Sequence, residues 1–119
     1  MEKAIKLGSA DKLTRLIEGL QARKIKIEGP STGRAEAHRD WHDLYVVLSG
    51  RAKVQLGELT GTIEEISVGE LRGNELKVQE EVELSEGDIL LIPAGLGHRT
   101  IVDEHYLQWV FKVPAHQRV

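Results

Sequence analysis

Gly87-Asp88-Ile89-Leu90-Leu91-Ile92-Pro93-Ala94-Gly95-Leu96-Gly97-His98 is the stretch that decides the fold. Four apolar residues lie between the turn residues Gly87-Asp88 and Pro93-Ala94-Gly95, which predicts a short strand covered on both faces. Pro93 presets φ for a turn, and Gly95 and Gly97 tolerate positive φ, so the backbone reverses at little steric cost and His98 opens the next strand. One imidazole is thereby fixed at a set distance from a buried strand. A histidine in such a turn can also simply bond a backbone carbonyl, so the rest of the chain must weigh the two readings.

Upstream, the pattern is mostly period two. Lys24-Ile25-Lys26-Ile27 alternates, and after the Gly29-Pro30-Ser31-Thr32-Gly33 loop so does Arg34 to His38, which places Glu36 and His38 on one side of a strand. Leu44 to Leu48 is apolar throughout and predicts a strand buried on both faces, ended by Gly50. Arg51 to Leu56 alternates cleanly. Between Gly57 and Gly73 the apolar residues are interrupted by Gly61 and Gly69, which predicts one short strand with loops. Leu76, Val78, Val82 and Leu84 alternate with charged and amide residues. His98 to Val102 follows the decisive turn, and in the last strand, His105 to Val113, Leu107, Trp109, Phe111 and Val113 share a face. With few aromatics in the chain, Trp109 and Phe111 are expected in the core. The one helical pattern is N-terminal: Ser9 as cap, then Leu13, Leu16, Ile17 and Leu20 at i, i+3, i+4 and i+7. The reading is one domain over 1–119, with a helix at about 9–21 and an all-β antiparallel barrel or two-sheet jelly roll at about 23–113.

At 119 residues the chain can bury a core without staples. It has no cysteine, so disulfides and thiolate ligands are excluded, and a metal would need imidazole and carboxylate donors, pointing to Mn, Fe, Ni, Co or Zn. No apolar run approaches membrane-spanning length and the N-terminus lacks a continuous apolar segment, so a cytoplasmic protein without membrane contact is expected. A net charge of -3 with mixed signs offers no basic stripe for nucleic acid.

Gly87-x5-Pro93-x-Gly95-x2-His98 resembles the second signature of the cupin family, G-x5-P-x-G-x2-H-x3-N, with Val102 in the last place. Glu36-x-His38-x4-Asp43-x6-Gly50 resembles the first, G-x5-H-x-H-x3,4-E-x6-G, with glutamate for the first histidine, aspartate for the glutamate and Pro30 for the leading glycine. The resemblance covers about residues 34 to 113, including a Gly69-Glu70-Leu71-Arg72-Gly73 segment between the signatures. It implies a jelly-roll barrel in which Glu36, His38, Asp43 and His98 hold one divalent transition metal, with His42 as the alternative to Glu36 if the residues before it bulge. A buried Asp43 would itself call for a metal or a paired cation. A small oxygenated ligand is implied, handled by isomerase-type or dioxygenase-type chemistry, with no catalytic residue assignable. A non-catalytic sensor that binds a small molecule is the alternative, and a metal-free barrel with an internally bonded polar cluster is a third. Arg72 could reach an anion or stand solvated. The exposed strand at Lys24 to Ile27 would leave an open edge in a monomer, so a homodimer is expected.

Overall fold

The computed structural model describes residues 3–9, 12, 14 and 20–116. The expected helix falls largely outside the described residues. Of its members only Lys12 and Thr14 are described with helical backbone, and the Lys12 amide donates to Ser9 Oγ at 3.3 Å, the bond of an N-cap serine. Gln21, placed at the helix end by the sequence reading, instead opens the first strand.

The alternating segments become eight antiparallel strands: β1 (Gln21–Glu28), β2 (Ser31–Thr32), β3 (Ala35–His38), β4 (Trp41–Ser67), β5 (Glu70–Ser85), β6 (Ile89–Ile92), β7 (Gly97–Val102) and β8 (His105–Pro114). The first half of β4 pairs with β8 on one side and β6 on the other, and β1 extends this layer beyond β8. The second half of β4 pairs with β5 on one side and β7 on the other, while β3 bridges β5 and β7. The pairings β4–β5–β3–β7–β4 therefore close a ring, and β4 runs through both layers. This is an all-β antiparallel jelly roll. Between its layers lies a core of Tyr45, Val47, Ala52, Val54, Leu56, Leu84, Ile92, Val102, Tyr106 and Val110.

Three expectations change. Gly50 does not end its strand: it bends β4 at φ +80, where a Cβ would lie 2.1 Å from the His105 carbonyl oxygen, so the chain passes between layers without a break. The weakly patterned 57–73 stretch is continuous strand on both sides of a tight turn at Val68-Gly69, and its pattern is blurred because register shifts at Leu56/Gly57, Thr60/Ile63 and Glu65/Ser67 reset which residues face inward. Finally, β6 is covered on one face only. Ile92 is buried and Leu90 partly so, whereas Ile89 and Leu91 point outward at 66% and 39% exposure.

The same layer also corrects the placing of the aromatics. Leu91 stands opposite Leu44 and Leu44 opposite Phe111; Ile89 stands opposite Val46 and Val46 opposite Trp109. Cross-strand partners share a face, so Trp109 and Phe111, stacked at 5.7 Å, lie with Ile89 and Leu91 on the outside and not in the core. The inward positions of β8 are Tyr106, Gln108, Val110 and Lys112.

Candidate metal centre

Strand register assembles the site. Glu36 on β3 stands opposite both Arg72 on β5 and His98 on β7; His38 stands opposite Glu70; Asp43 on β4 stands opposite Lys112 on β8. Four cross-strand pairs thus converge on one end of the barrel. All of these residues except the buried His98 line a cavity of about 520 Å³, together with Arg23 and Tyr45.

Each imidazole has one nitrogen committed and one aimed at the cluster. His38 Nδ1 is 2.6 Å from Glu70 Oε2, and His98 Nδ1 is 3.2 Å from the Leu96 carbonyl oxygen that accepts its proton. The remaining nitrogens meet Glu36 Oε1, His38 Nε2 at 3.6 Å and His98 Nε2 at 3.2 Å. Asp43 Oδ2 touches the same two nitrogens at 3.0 and 3.7 Å, while its Oδ1 accepts from Lys112 Nζ at 2.7 Å. Arg72 Nη1 holds the other Glu36 oxygen at 2.8 Å. His38, Asp43 and His98 are all buried.

Glu36, His38 and His98 offer three ligand atoms within 4.8 Å of one another. Donors ~2.1 Å from a common ion stand roughly 3.0 to 3.4 Å apart at octahedral to tetrahedral angles, so the Glu36–His98 distance fits an ion as it is and the Glu36–His38 distance needs only a few tenths of an ångström. Two imidazoles and one carboxylate, each with an outer partner fixing its orientation, suit a divalent transition metal. Asp43 lies against both imidazoles but is tied to Lys112. His42 does not join: its Nδ1 accepts the Ala94 amide at 2.8 Å, and it follows the strand alternation to the face opposite Asp43 because no bulge re-aims it. His105 and His116 are exposed, and His105 stands opposite Glu28 at the other end of β8 from Lys112.

The charges are strongly coupled. Burial would raise the Glu36 carboxyl, but hydrogen bonds from His38 and His98 and the charges of His98 and Arg72 overcome it and hold the group well below the usual carboxylate range. Asp43 is likewise lowered against its burial by His38 and Lys112. Burial disfavours the His38 cation, yet Asp43 and Glu36 outweigh both that and the opposing Lys112, and its pKa is pushed up to about 9. Burial, with Asp43 and Glu36 nearby, pushes the Tyr45 hydroxyl up, so it stays protonated beside His98, its ring 6.5 Å from that imidazole.

A pH dependence follows for the metal-free protein. The folded value for His38 lies above its ordinary 6.5, so its contribution, on the order of 3 kcal/mol, is fully present below about pH 6.5 and is lost as pH rises through about 9. Glu36 and Asp43 are lowered, so theirs is present above the ordinary carboxylate range near ~4 and lost in acid. Thermal melts in chelator should give a midpoint highest at about pH 5 to 6.5 and falling towards pH 9. A midpoint that rises over the alkaline arm would contradict the protonated His38.

Sequence reasoning missed Glu70 and Lys112 as members of the site and left Arg72 open. Glu70 and Arg72 are two apart, as are Glu36 and His38, so one antiparallel pairing opposes both pairs, but the spacing does not say which strands pair.

A protein-family model described as JmjC domain matches residues 5–118, nearly the whole chain. The chain belongs to the JmjC-domain family, within the cupin superfamily. No curated protein matches it. Among solved structures, this JmjC-domain chain is similar to a hydroquinone 1,2-dioxygenase from Sphingomonas sp. TTNP3 with 4-hydroxybenzoate bound, at TM-score 0.60 and 16% identity over 78% of this chain and 58% of that one. It is similar to a cupin-2 domain containing protein from Shewanella frigidimarina at TM-score 0.56 and 16% identity, covering 82% of this chain and 72% of that one. The polyketide cyclase RemF from Streptomyces resistomycificus gives TM-score 0.55 and 14% identity, covering 84% and 57%. The chain thus spans under three fifths of the dioxygenase and of the cyclase. At these identities the likeness is one of fold. No helix among the described residues is long and apolar enough to cross a membrane.

Proposed function

We propose that this JmjC-domain chain holds one divalent transition metal between Glu36, His38 and His98, and that the cavity beside it binds or transforms a small oxygenated metabolite. The observation that carries this reading is the convergence of His38 Nε2, His98 Nε2 and Glu36 Oε1 while each ring's other nitrogen is held by Glu70 or Leu96. A bound ion would supply Lewis-acid polarisation of a ligand oxygen or oxygen activation at iron. Glu70 and the Leu96 carbonyl orient the imidazoles, Arg72 fixes the Glu36 carboxylate, and Asp43 with Lys112 borders the position at which a ligand would meet the ion. The 4-hydroxybenzoate of the dioxygenase neighbour makes phenols and small acids the first substrates to assay by oxygen uptake, with sugar isomerisation as the other branch. Silence in both, with a metal present, favours a binding or sensor role.

The metal-free reading also has an observation behind it: among the described residues no buried side-chain nitrogen or oxygen lacks a hydrogen-bond partner. The cluster can satisfy itself. Elemental analysis separates the two, with about one ion per chain expected for protein loaded with Mn, Fe, Co, Ni or Zn, and a raised melting temperature because the ion binds only the folded state. Unchanged melting on adding each ion would remove the proposal.

Glu70→Gln tests the orientation of His38. It removes the carboxylate on Nδ1 without touching a ligand atom, so metal affinity should fall by about 10- to 100-fold while the fold persists. Competition with a chromogenic chelator measures it.

A homodimer is retained in this proposal but moved. β1 is terminal in its layer, yet its edge carries Arg23, Lys24 and Lys26, whose like charges oppose pairing with another copy. The outer apolar face of β8, β4 and β6 is the better seat for a second copy, since a two-fold axis through it would set Ile89, Leu91 and the Trp109–Phe111 stack against themselves. Light scattering should report the mass of two chains for the wild type and one for the Ile89→Lys, Leu91→Lys double variant.

A further inference from the structure

His42 is buried and holds no place among the converging metal donors. Its position follows from the β4–β6 ladder. Asp43 stands opposite Ile92, and one step further His42 would stand opposite Pro93, whose nitrogen carries no proton, so the backbone ladder stops there. The next amide, Ala94, donates instead to the His42 side chain, at Nδ1 and 2.8 Å.

The turn held in this way, Pro93 to Gly97, reaches both imidazoles of the metal centre. The Gly95 amide donates to the His38 carbonyl oxygen at 2.7 Å, and the Leu96 carbonyl oxygen accepts from His98 Nδ1 at 3.2 Å. The Leu96 amide is used inside the turn, on Pro93 O. At its far end the turn is fixed by packing, since a Cβ on Gly97 would lie 2.9 Å from Gly57 O and 3.1 Å from Leu59 N. Its near end is tied by two amide bonds, to His42 and to His38, and only the first has a side chain as acceptor. Without an acceptor at residue 42 the Ala94 amide must find another partner. The turn then tilts about its Gly97 end and carries the Leu96 carbonyl, and with it the His98 ring, out of place.

We infer, resting on the metal reading above, that His42 is a positioning residue for the metal centre: it latches the turn that sets the His98 ring without being a ligand itself. Its acceptor atom does this, not its bulk. Asparagine places Oδ1 where histidine has Nδ1, whereas phenylalanine keeps a buried ring and loses the acceptor.

Zinc affinity, measured by chelator competition, separates the two properties. His42→Phe should bind zinc about tenfold more weakly than the wild type, the lower end of the range for groups that orient a ligand, because it acts through one more link. His42→Asn should bind as the wild type does. A purely structural residue would give the opposite order, since asparagine leaves the larger cavity, so zinc binding by His42→Phe as tight as by His42→Asn would overturn the inference. Should either variant fail to fold, amide exchange in the wild type still decides. Zinc loading should slow exchange at Ala94 at least about tenfold more than at Asp88, whose amide bonds Ser85 at the other end of β6, and equal slowing of the two would also overturn the inference. Failure of the metal reading has a separate signature: wild type that takes up no zinc sinks that reading, and this inference with it, whereas zinc uptake with equal affinities in the two variants sinks this inference alone.

Discussion

His98→Ala is expected to abolish metal uptake: elemental analysis should fall from about one ion per chain to background, and added Mn, Fe, Co, Ni or Zn should no longer raise the melting temperature. The size of the effect follows from the position of the ring. His98 is 1% exposed, its Nδ1 is committed to Leu96, and its Nε2 lies 3.2 Å from Glu36 Oε1, closer than the other imidazole. Removing it takes one of three convergent donors and leaves Glu36 and His38, too few for tight binding of a transition metal by imidazole and carboxylate. Changing an outer partner costs 10- to 100-fold in affinity, so loss of a direct donor should cost at least about 100-fold. His105→Ala is the control, since His105 is exposed and at the other end of β8 from Lys112; it should bind metal as the wild type does. Equal metal content in the two variants would remove His98 from the ligand set.

The sequence revealed more about which residues share a face than about which face is inside. Period two placed Glu36 with His38, and Leu107 with Trp109 and Phe111, and both groupings hold. It could not say that Trp109 and Phe111 face outward, because an apolar run has the same pattern whether its outer side meets protein or solvent. Ile89 to Ile92 misled for the same reason. Glu70, Arg72 and Lys112 were hidden by a different limit. Their roles arise from pairing between strands 32 to 74 residues apart, such as His38 with Glu70 and His38 with Lys112, and local periodicity carries no information about partners at that range. The turn at Pro93 to His98 was legible because its chemistry is local: Gly95 takes φ +86, as the reading of a positive-φ turn requires.

Gly50→Ala is the substitution outside the cluster expected to be most damaging. A Cβ at residue 50 would lie 2.1 Å from His105 O and 2.9 Å from Tyr106 Cα, both backbone atoms of β8 that no rotamer change can move. The φ of +80 adds the left-handed cost of about 1 to 2 kcal/mol for a residue with a side chain. Relief requires β4 and β8 to separate where β4 crosses between layers, so a total loss of at least about 3 kcal/mol is expected, or roughly 10 to 20 °C in melting temperature. Gly87→Ala isolates the clash, because Gly87 has φ +89 yet nothing within 4 Å of its would-be Cβ. It should lose only the backbone share. The site should feel the difference as well: Asp43 lies on the β4 segment before the bend, paired with β8, and Leu56, opposite His98, lies on the segment after it. Any repositioning at Gly50 therefore alters the spacing between the β8 ammonium and the β7 imidazole. In the surviving folded fraction, Gly50→Ala should bind metal more weakly than wild type while Gly87→Ala matches it, and equal melting temperatures for the two variants would show that the β4 bend is not held by contact with β8.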